Sequence, residues 1–372
     1  MTHEELAHSD LRGISVSLIV PTYQEVDNLP ILIERIDRIR CQHQLEMELL
    51  IMDDDSNDGT EQYLTQLNQP WIKLVIRKEN RGLSPAVVDG LNLAQHDILM
   101  VMDADLSHPP EKIPEMLNTL REGAEFVVGS RYIEGGSMET GWGLFRWLNS
   151  KIATLLAYPF TRIKDPMSGF IALPRTIFER GKWKLNPIGY KIGLELIVKC
   201  DCQDVREIPL HFMDRKHGQS KLSFKMQLQY LQHLRRLFIH RYDTWAHFVQ
   251  FIVVGLSGVF VNLLALTLLL WLNVSIKLAV AIAIAVSMVS NFALNRRFTF
   301  SYARHESIVK QFFGFCGASS IGAVVNYFIT LLMLASFPFL YPQVAALVGV
   351  LAGMGFNFSI NRYLIFKKDN PV

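Results

Sequence analysis

Between Lys310 and Arg362 the chain carries no Asp, Glu, Lys or Arg, and between Asp243 and Arg296 the only one is Lys277. A soluble fold does not keep such long runs free of charge. A bilayer demands it, at about 20 apolar residues per helical crossing. The run from Gln311 to Asn361 exceeds one crossing, and Phe337-Pro338-Phe339-Leu340-Tyr341-Pro342 supplies a break inside it. Four spans are therefore expected, near 248–272, 277–295, 311–336 and 341–361. The connections at 273–277 and 337–342 hold little positive charge. Arg235, Arg236 and Arg241, then Arg296, Arg297, Arg304 and Lys310, then Arg362, Lys367 and Lys368 all fall at the opposite ends. The positive-inside rule puts that side, both termini and everything before the spans in the cytoplasm.

The span region also repeats itself. Gly258-Val259-Phe260-Val261-Asn262 echoes Gly322-Ala323-Val324-Val325-Asn326, and Asn291-Phe292-Ala293-Leu294-Asn295-Arg296 echoes Asn357-Phe358-Ser359-Ile360-Asn361-Arg362. Each half reads as a two-span hairpin. Asparagines at membrane depth are costly and are expected to face protein and bond across helices. Residues 221–247 interleave Leu222, Phe224, Met226, Leu228, Leu231, Leu234, Leu237 and Phe238 with Lys225, His233, Arg235, Arg236, His240 and Arg241. A basic helix with one apolar face, just before a span, reads as lying on an anionic leaflet. Residues 151–164 read as a second interfacial segment or as ordinary core.

A net charge of +2 excludes a general nucleic-acid binder, which needs a large basic excess. The four cysteines, Cys41, Cys200, Cys202 and Cys316, form no repeated metal pattern and no disulfide ladder, so reduced thiols are expected. Residues 1–12 are polar, and no cleaved signal peptide is expected there.

Ahead of the spans, strands alternate with helices. Ser15–Val20 is an apolar strand halted by Pro21, and Asn28-Leu29-Pro30 opens a helix with Leu32, Ile33, Ile36 and Ile39 on one face. Further strands are expected at 48–52, 73–76, 98–102 and 126–129, with a helix at 84–94. This alternation predicts an α/β domain with a mostly parallel sheet, which binds ligands at the carboxyl ends of its strands. Polar clusters stand at those ends. After the first strand come Pro21, Tyr23, able to stack on a base or ribose, and Glu25, able to accept from base or sugar donors. After Met52 come Asp53, Asp54, Asp55 and Asp58, where Asp54 could accept from a base N–H and Ser56 and Asp58 are expected to cap the next helix.

The fourth strand exits into Asp103-Ala104-Asp105-Leu106-Ser107-His108-Pro109-Pro110. Two carboxylates around one small residue suit a hard divalent cation, Mg²⁺ or Mn²⁺, that keeps positions open for phosphate oxygens. Cations follow: Arg131 after the fifth strand, Arg146 and Lys151 beside Ser150 on a helix, Lys191 before the helix carrying Glu195, and Arg215, Lys216, His217 and Lys221 on a Gly-containing loop.

In this order, Pro21-Thr-Tyr-x-Glu25, Asp53-Asp-x-Ser-x-Asp58-Gly, Asp103-Ala-Asp105-Leu-x-His-Pro-Pro110, Gly129-Ser-Arg-Tyr132, Asp165-Pro-x-Ser-Gly-Phe170 and Arg215-x-x-Gly-x-Ser-Lys-Leu222 resemble the dolichol-phosphate mannose synthases. These are inverting family-2 glycosyltransferases of the GT-A fold, a Rossmann-like mixed sheet. The spans resemble the GtrA-like membrane domains. The resemblance divides the chain into a GT-A domain (1–220), an interfacial helix or linker (221–247) and a transmembrane domain (248–372). It implies donor binding by Pro21, Tyr23, Glu25, Met52, Asp54, Asp103, Ala104, Asp105, Arg131, Lys191, Arg215 and Lys221. It places the metal on Asp103 and Asp105, with Ser107 where the family commonly has Gln. It puts the acceptor phosphate on Arg131, Arg146 and Ser150, and the catalytic work on Asp105, Arg131, Arg146 and Arg215. The expected reaction passes mannose from GDP-mannose to dolichyl or another polyprenyl phosphate with inversion. Alternatives are hexosyl transfer from a UDP-sugar, or a flippase for lipid-linked sugars whose soluble part only docks.

Overall fold

The computed structural model describes residues 10–138, 144–212 and 224–367, which divide into two compact units, Met1–Arg241 and Tyr242–Val372.

The first unit is built on a seven-stranded sheet in the order β3-β2-β1-β4-β7-β5-β8. Its strands are β1 (Ser15–Thr22), β2 (Glu46–Asp53), β3 (Ile72–Ile76), β4 (Ile98–Val101), β5 (Phe126–Ser130), β7 (Ile171–Pro174) and β8 (Val205–Pro209). A separate parallel ribbon joins β6 (Ser137–Met138) to β9 (His211–Phe212). All pairs in the large sheet are parallel except those of β7, which runs against both β4 and β5. The sheet is thus mixed, and reversal at β7 brings the loop before it to the edge where β1, β2, β4 and β5 end.

The helix α1 (Leu29–Gln42) buries Leu29, Leu32, Ile33, Ile36 and Ile39, the stripe its periodicity predicts. It closes one face of the sheet over Val16, Leu18, Val20, Leu49 and Ile51. On the other face, α3 (Leu83–Leu93) covers Ile19, Leu50 and Met52. Gly90 permits that close approach, because a Cβ there would sit 2.5 Å from Ile19 Cγ2. The remaining helices of this unit are α2 (Thr60–Leu67), α4 (Ile113–Arg121), α5 (Leu144–Ala157), α6 (Arg175–Gly181) and α7 (Ile192–Lys199).

Three local expectations are corrected. Pro21 does not halt β1, which pairs through Pro21↔Met52 and Thr22↔Asp53. Ile19 C=O accepts from Met102 N–H on the β4 side. Pro21, two residues on, faces that same side beyond the last pair Ile19↔Val101, so its missing N–H costs no ladder bond. Ser56 does not cap α2; its hydroxyl donates to Asp53 Oδ1 and accepts from Gln24 N–H, tying the β2 exit to the β1 exit. Asp58 does serve that helix start, accepting from Thr60 N–H, and it also accepts from Val26 N–H. Finally, β7 and β8 appear where the sequence shows no strand signal. The first is four residues long, and the second is an edge strand carrying Arg206 and Glu207.

The helix α8 (Phe224–Trp271) begins in the first unit and is broken at Asp243, where φ is 29° and ψ −95°. Before the break, Leu234 and Leu237 are buried with Ala157, Leu194 and Val198 of α5 and α7, while Leu228 and Leu231 stay exposed. The apolar face expected to lie on lipid is thus partly spent on protein. On α5, Ile152, Leu155 and Leu156 are likewise exposed.

In the second unit, α9 (Ile276–Leu294), α10 (Ile308–Ser336) and α11 (Pro342–Ile360) follow the end of α8. Three helices among the described residues are long and apolar enough to cross a membrane: Met226–Trp271, Ile276–Thr299 and Ile308–Ser336. The repeat seen in the sequence is a repeat in space. Each hairpin ends in a π turn, Asn295–Thr299 and Asn361–Ile365, and each turn closes with the same bond, Phe300 N–H to Asn295 O and Phe366 N–H to Asn361 O, both 2.8 Å. Phe300 and Phe366 then stack on each other, centroids 4.7 Å apart. The asparagines face protein as expected: Asn291 lies against Gly258, and Asn326 against Gly349 and Gly353. Their side-chain bonds differ from expectation, since Asn361 bonds to Asn357 and Asn326 to Thr330 along the chain, while Ser287 Oγ donates across helices to Gly258 O.

Candidate active site

Where the chain passes from β3 back to β4 on the other side of β1, the strand order reverses, and such a switch point opens a crevice at the carboxyl edge. Four strand exits and the loop before β7 meet there.

The β2 exit is held from within. Asp53 accepts from Thr22 Oγ1, Ser56 N–H and Ser56 Oγ. Asp54 is buried, ion-paired with Arg77 and accepting from Gly82 N–H at 2.6 Å. Arg77 is itself buried and also reaches Asp89, at 2.8 Å, and Asn80 O. Sequence reasoning missed Arg77; no local pattern marks a partner lying 23 positions away. At the β1 exit Tyr23 is 46 % exposed, as a stacking side chain requires, and Glu25 accepts from Asn28 Nδ2 at 2.6 Å. The period-two alternation of β2 turns the Met52 side chain into the core beneath α3, fully buried, so a donor contact from this residue would come from its backbone.

The β4 exit carries the two carboxylates. Asp105 is buried, and its Oδ1 accepts from both Ser107 N–H (3.1 Å) and Ser107 Oγ (2.6 Å). Ser107, placed by the resemblance among the metal ligands, donates its hydroxyl proton to Asp105 and keeps its oxygen lone pairs. His108 is buried and stacked on Phe170. Its Nδ1 accepts from Asp103 N–H at 3.1 Å, which leaves the ring proton on Nε2, 3.8 Å from Asp103 Oδ2. The histidine therefore orients Asp103. Gly169, in the loop before β7, lies against the same carboxylate; a Cβ there would be 3.1 Å from Asp103 Oδ1.

Arg131, at the β5 exit, forms a fork with Asp165: Nε and Nη2 donate at 2.7 and 2.8 Å, and its own N–H adds a third bond at 3.1 Å. Asp165 is fully buried and is fixed by Glu207 of β8, which accepts from Lys164 and Asp165 N–H. Burial works against the Arg131 charge, but the bonds and charge of Asp165, with Asp103 nearby, hold the guanidinium above the usual arginine range. It stays charged at any physiological pH. Asp165 stands in the motif series, but its pairing with Arg131, 34 residues away, carries no local sequence signal.

Ser150 on α5 bonds Tyr132 Oη at 2.8 Å, and Lys151 lies over the Tyr132 ring, so the residues after Arg131 and this face of α5 adjoin. Arg146 belongs to the first turn of that helix. Lys191 Nζ donates to Met167 O at 3.3 Å, beside the Asp165 loop. Arg215 and Lys221 lie outside the described residues.

Asp103 and Asp105 offer hard oxygen donors one residue apart. No cluster of three His, Cys, Asp or Glu side chains occurs among the described residues, so a cation here would draw its other ligands from water and substrate, the habit of Mg²⁺ and Mn²⁺ at phosphate sites. The residues fit such an ion. The thiols of Cys200 and Cys202 are not in a disulfide, and burial pushes the Cys200 thiol up to about 11.

Residues 17–181 match the family 2 glycosyl transferases, and residues 250–367 match the transmembrane domain shared by GtrA and DPMS proteins. A dolichol-phosphate mannosyltransferase from Pyrococcus furiosus is 38 % identical over 356 residues, 94 % of this chain and 99 % of its own. The chain belongs to the dolichol-phosphate mannosyltransferases. It is a glycosyltransferase with a GT-A domain, and it is a membrane protein. The Saccharomyces cerevisiae dolichol-phosphate mannosyltransferase is 37 % identical over 241 residues, 62 % of this chain and 90 % of its own. Among solved structures, mannosyl-3-phosphoglycerate synthase from Rubrobacter xylanophilus aligns with TM-score 0.49 and 17 % identity, covering 62 % of this chain and 75 % of its own, a likeness too slight to bear on function.

Proposed function

We propose that the protein transfers mannose from GDP-mannose to dolichyl or another polyprenyl phosphate, with inversion. The observation that carries this reading is the match to a dolichol-phosphate mannosyltransferase over 94 % of the chain, supported by a crevice edge where Asp103 lies near Arg131. Asp103 and Asp105 would hold Mg²⁺ or Mn²⁺, and the bound ion would neutralise charge on the departing diphosphate. Tyr23 offers a stacking face for the guanine, and Asp54, held by Arg77 and Gly82 N–H, presents a fixed carboxylate edge nearby.

The acceptor needs no general base. A lipid phosphate with a second pKa near about 6 is already largely ionised at neutral pH. The protein's task is then to place it, and Arg131, Arg146 and Ser150 are the residues we assign to that. Attack from the face opposite the leaving diphosphate gives a β-linked lipid sugar from an α-linked donor. Lys191, Arg215 and Lys221 are assigned to the donor phosphates or sugar. We further infer four crossings, the fourth being α11, with the catalytic unit on the cytoplasmic side, the side to which the sequence assigns Arg235, Arg296, Arg297, Arg304 and Arg362.

Replacing Asp105 by Ala tests the site. Glycolipid synthesis by the purified, membrane-inserted protein should fall at least about a hundredfold, while melting temperature and membrane extraction behaviour hold. Product formation that survives Asp105→Ala overturns the assignment.

A further inference from the structure

The two π turns place equivalent arginines, yet their charges are met differently. In the second repeat Arg362 is buried and paired with Asp243, Nη2 reaching both carboxylate oxygens at 3.0 and 3.1 Å, and Nη1 donates to Tyr302 Oη. In the first repeat Arg296 finds only neutral acceptors: Gln311 Oε1 at 2.8 Å and the carbonyls of Arg304 and Glu306. Two more arginines gather beside it. Arg304 donates to the carbonyls of Arg296 and Arg297, and the Arg297 guanidinium lies over Phe298. Among the described residues none of these three meets a carboxylate.

The three guanidiniums line one end of a pocket of about 690 Å³ between the ends of α9 and α10. Its remaining walls are apolar: Val289, Phe292, Val309, Phe312 and Phe313. Gln311, almost fully buried, braces Arg296 through Oε1 and anchors to Ala303 O through Nε2, so the cluster is a built feature. A cationic mouth without its counter-charge, over a greasy trough at the end of two spans, is complementary to one kind of molecule. We propose that this pocket binds an anionic phospholipid of the bilayer, its headgroup phosphate on Arg296, Arg297 and Arg304 and one acyl chain along the trough.

The test uses full-length protein in detergent, titrated with phosphatidylglycerol and, separately, phosphatidylcholine, with bound lipid counted by native mass spectrometry. One saturable phosphatidylglycerol, held in preference to phosphatidylcholine, is expected. Arg297→Gln should weaken it about fivefold, the weight of one arginine at an anionic headgroup. Adding Arg304→Gln should weaken it further. Val309→Trp, which fills the trough and keeps every charge, should also displace the lipid, and it keeps the test decisive if the double variant does not fold. Equal retention of both lipids, or unchanged phosphatidylglycerol binding in Val309→Trp, overturns the proposal. So does complete displacement by an equal concentration of polyprenyl phosphate, which would assign the pocket to the acceptor instead.

Discussion

At the residue scale, Asp103 is the position on which the surroundings converge. His108 fixes its backbone, Gly169 leaves room for its carboxylate, and Arg131 stands near enough to feel its charge. Gly169 has no left-handed backbone to protect, so its side-chain space is what counts. Gly169→Ala would push a methyl to about 3.1 Å from Oδ1, tighter than ordinary contact, and the carboxylate must yield by a few tenths of an ångström. We expect kcat to drop about tenfold from that misplacement, with melting nearly unchanged. The readouts are steady-state kinetics and a thermal melt. Much of this neighbourhood is legible in sequence, because Asp103, Asp105, Arg131 and Asp165 stand in a motif order. Their mutual roles are not. Ser107 reads as a ligand by position, and the bond its hydroxyl donates to Asp105 is something residue type alone does not reveal.

At the scale of elements, the strands that sequence shows are those with buried apolar runs, and β1, β2, β4 and β5 all qualify. Hidden are β7, too short to carry a pattern, and β8, whose charged residues belong to an edge. The helix α7 carries another unread feature. Glu195 is buried, with Oε1 accepting from Lys199 Nζ and Asn186 N–H, and His233 of α8 lies 3.3 Å from Oε2. Burial alone would raise its pKa, but His233, Lys199 and the Asn186 N–H more than reverse that and bring it from 4.5 to about 2. A carboxylate depressed by folding stabilises fully above its unfolded pKa and loses that contribution as pH falls toward the folded one. Between about pH 4.5 and 2 the catalytic unit should therefore lose on the order of 3 kcal/mol, and Glu195→Gln should flatten that acid limb in melts taken across the window. In the membrane unit, α10 and α11 meet at small residues. A Cβ on Gly322 would lie 2.8 Å from Gly353 O and 3.0 Å from Asn357 Cβ. Gly322→Ala should part the two helices and cost about 1–3 kcal/mol, read as a lower melting temperature of the detergent-purified protein.

On the scale of the whole molecule, the division into a GT-A unit and a duplicated helical unit is written in the charge pattern and the repeat, and the structure adds how each is closed. The same helix, α8, leaves the first unit and enters the second across the break at Asp243. That continuity joins the candidate crevice to a membrane domain in one chain, the arrangement expected of an enzyme whose acceptor carries its phosphate on a lipid. Donor and stereochemistry together define the proposed reaction. Purified full-length protein, supplied with polyprenyl phosphate, Mg²⁺ or Mn²⁺, and either GDP-mannose or UDP-glucose, should make a lipid-linked sugar from GDP-mannose alone, with a β-anomeric proton in the product's NMR spectrum. Transfer from UDP-glucose in preference, or an α-linked product, would contradict it.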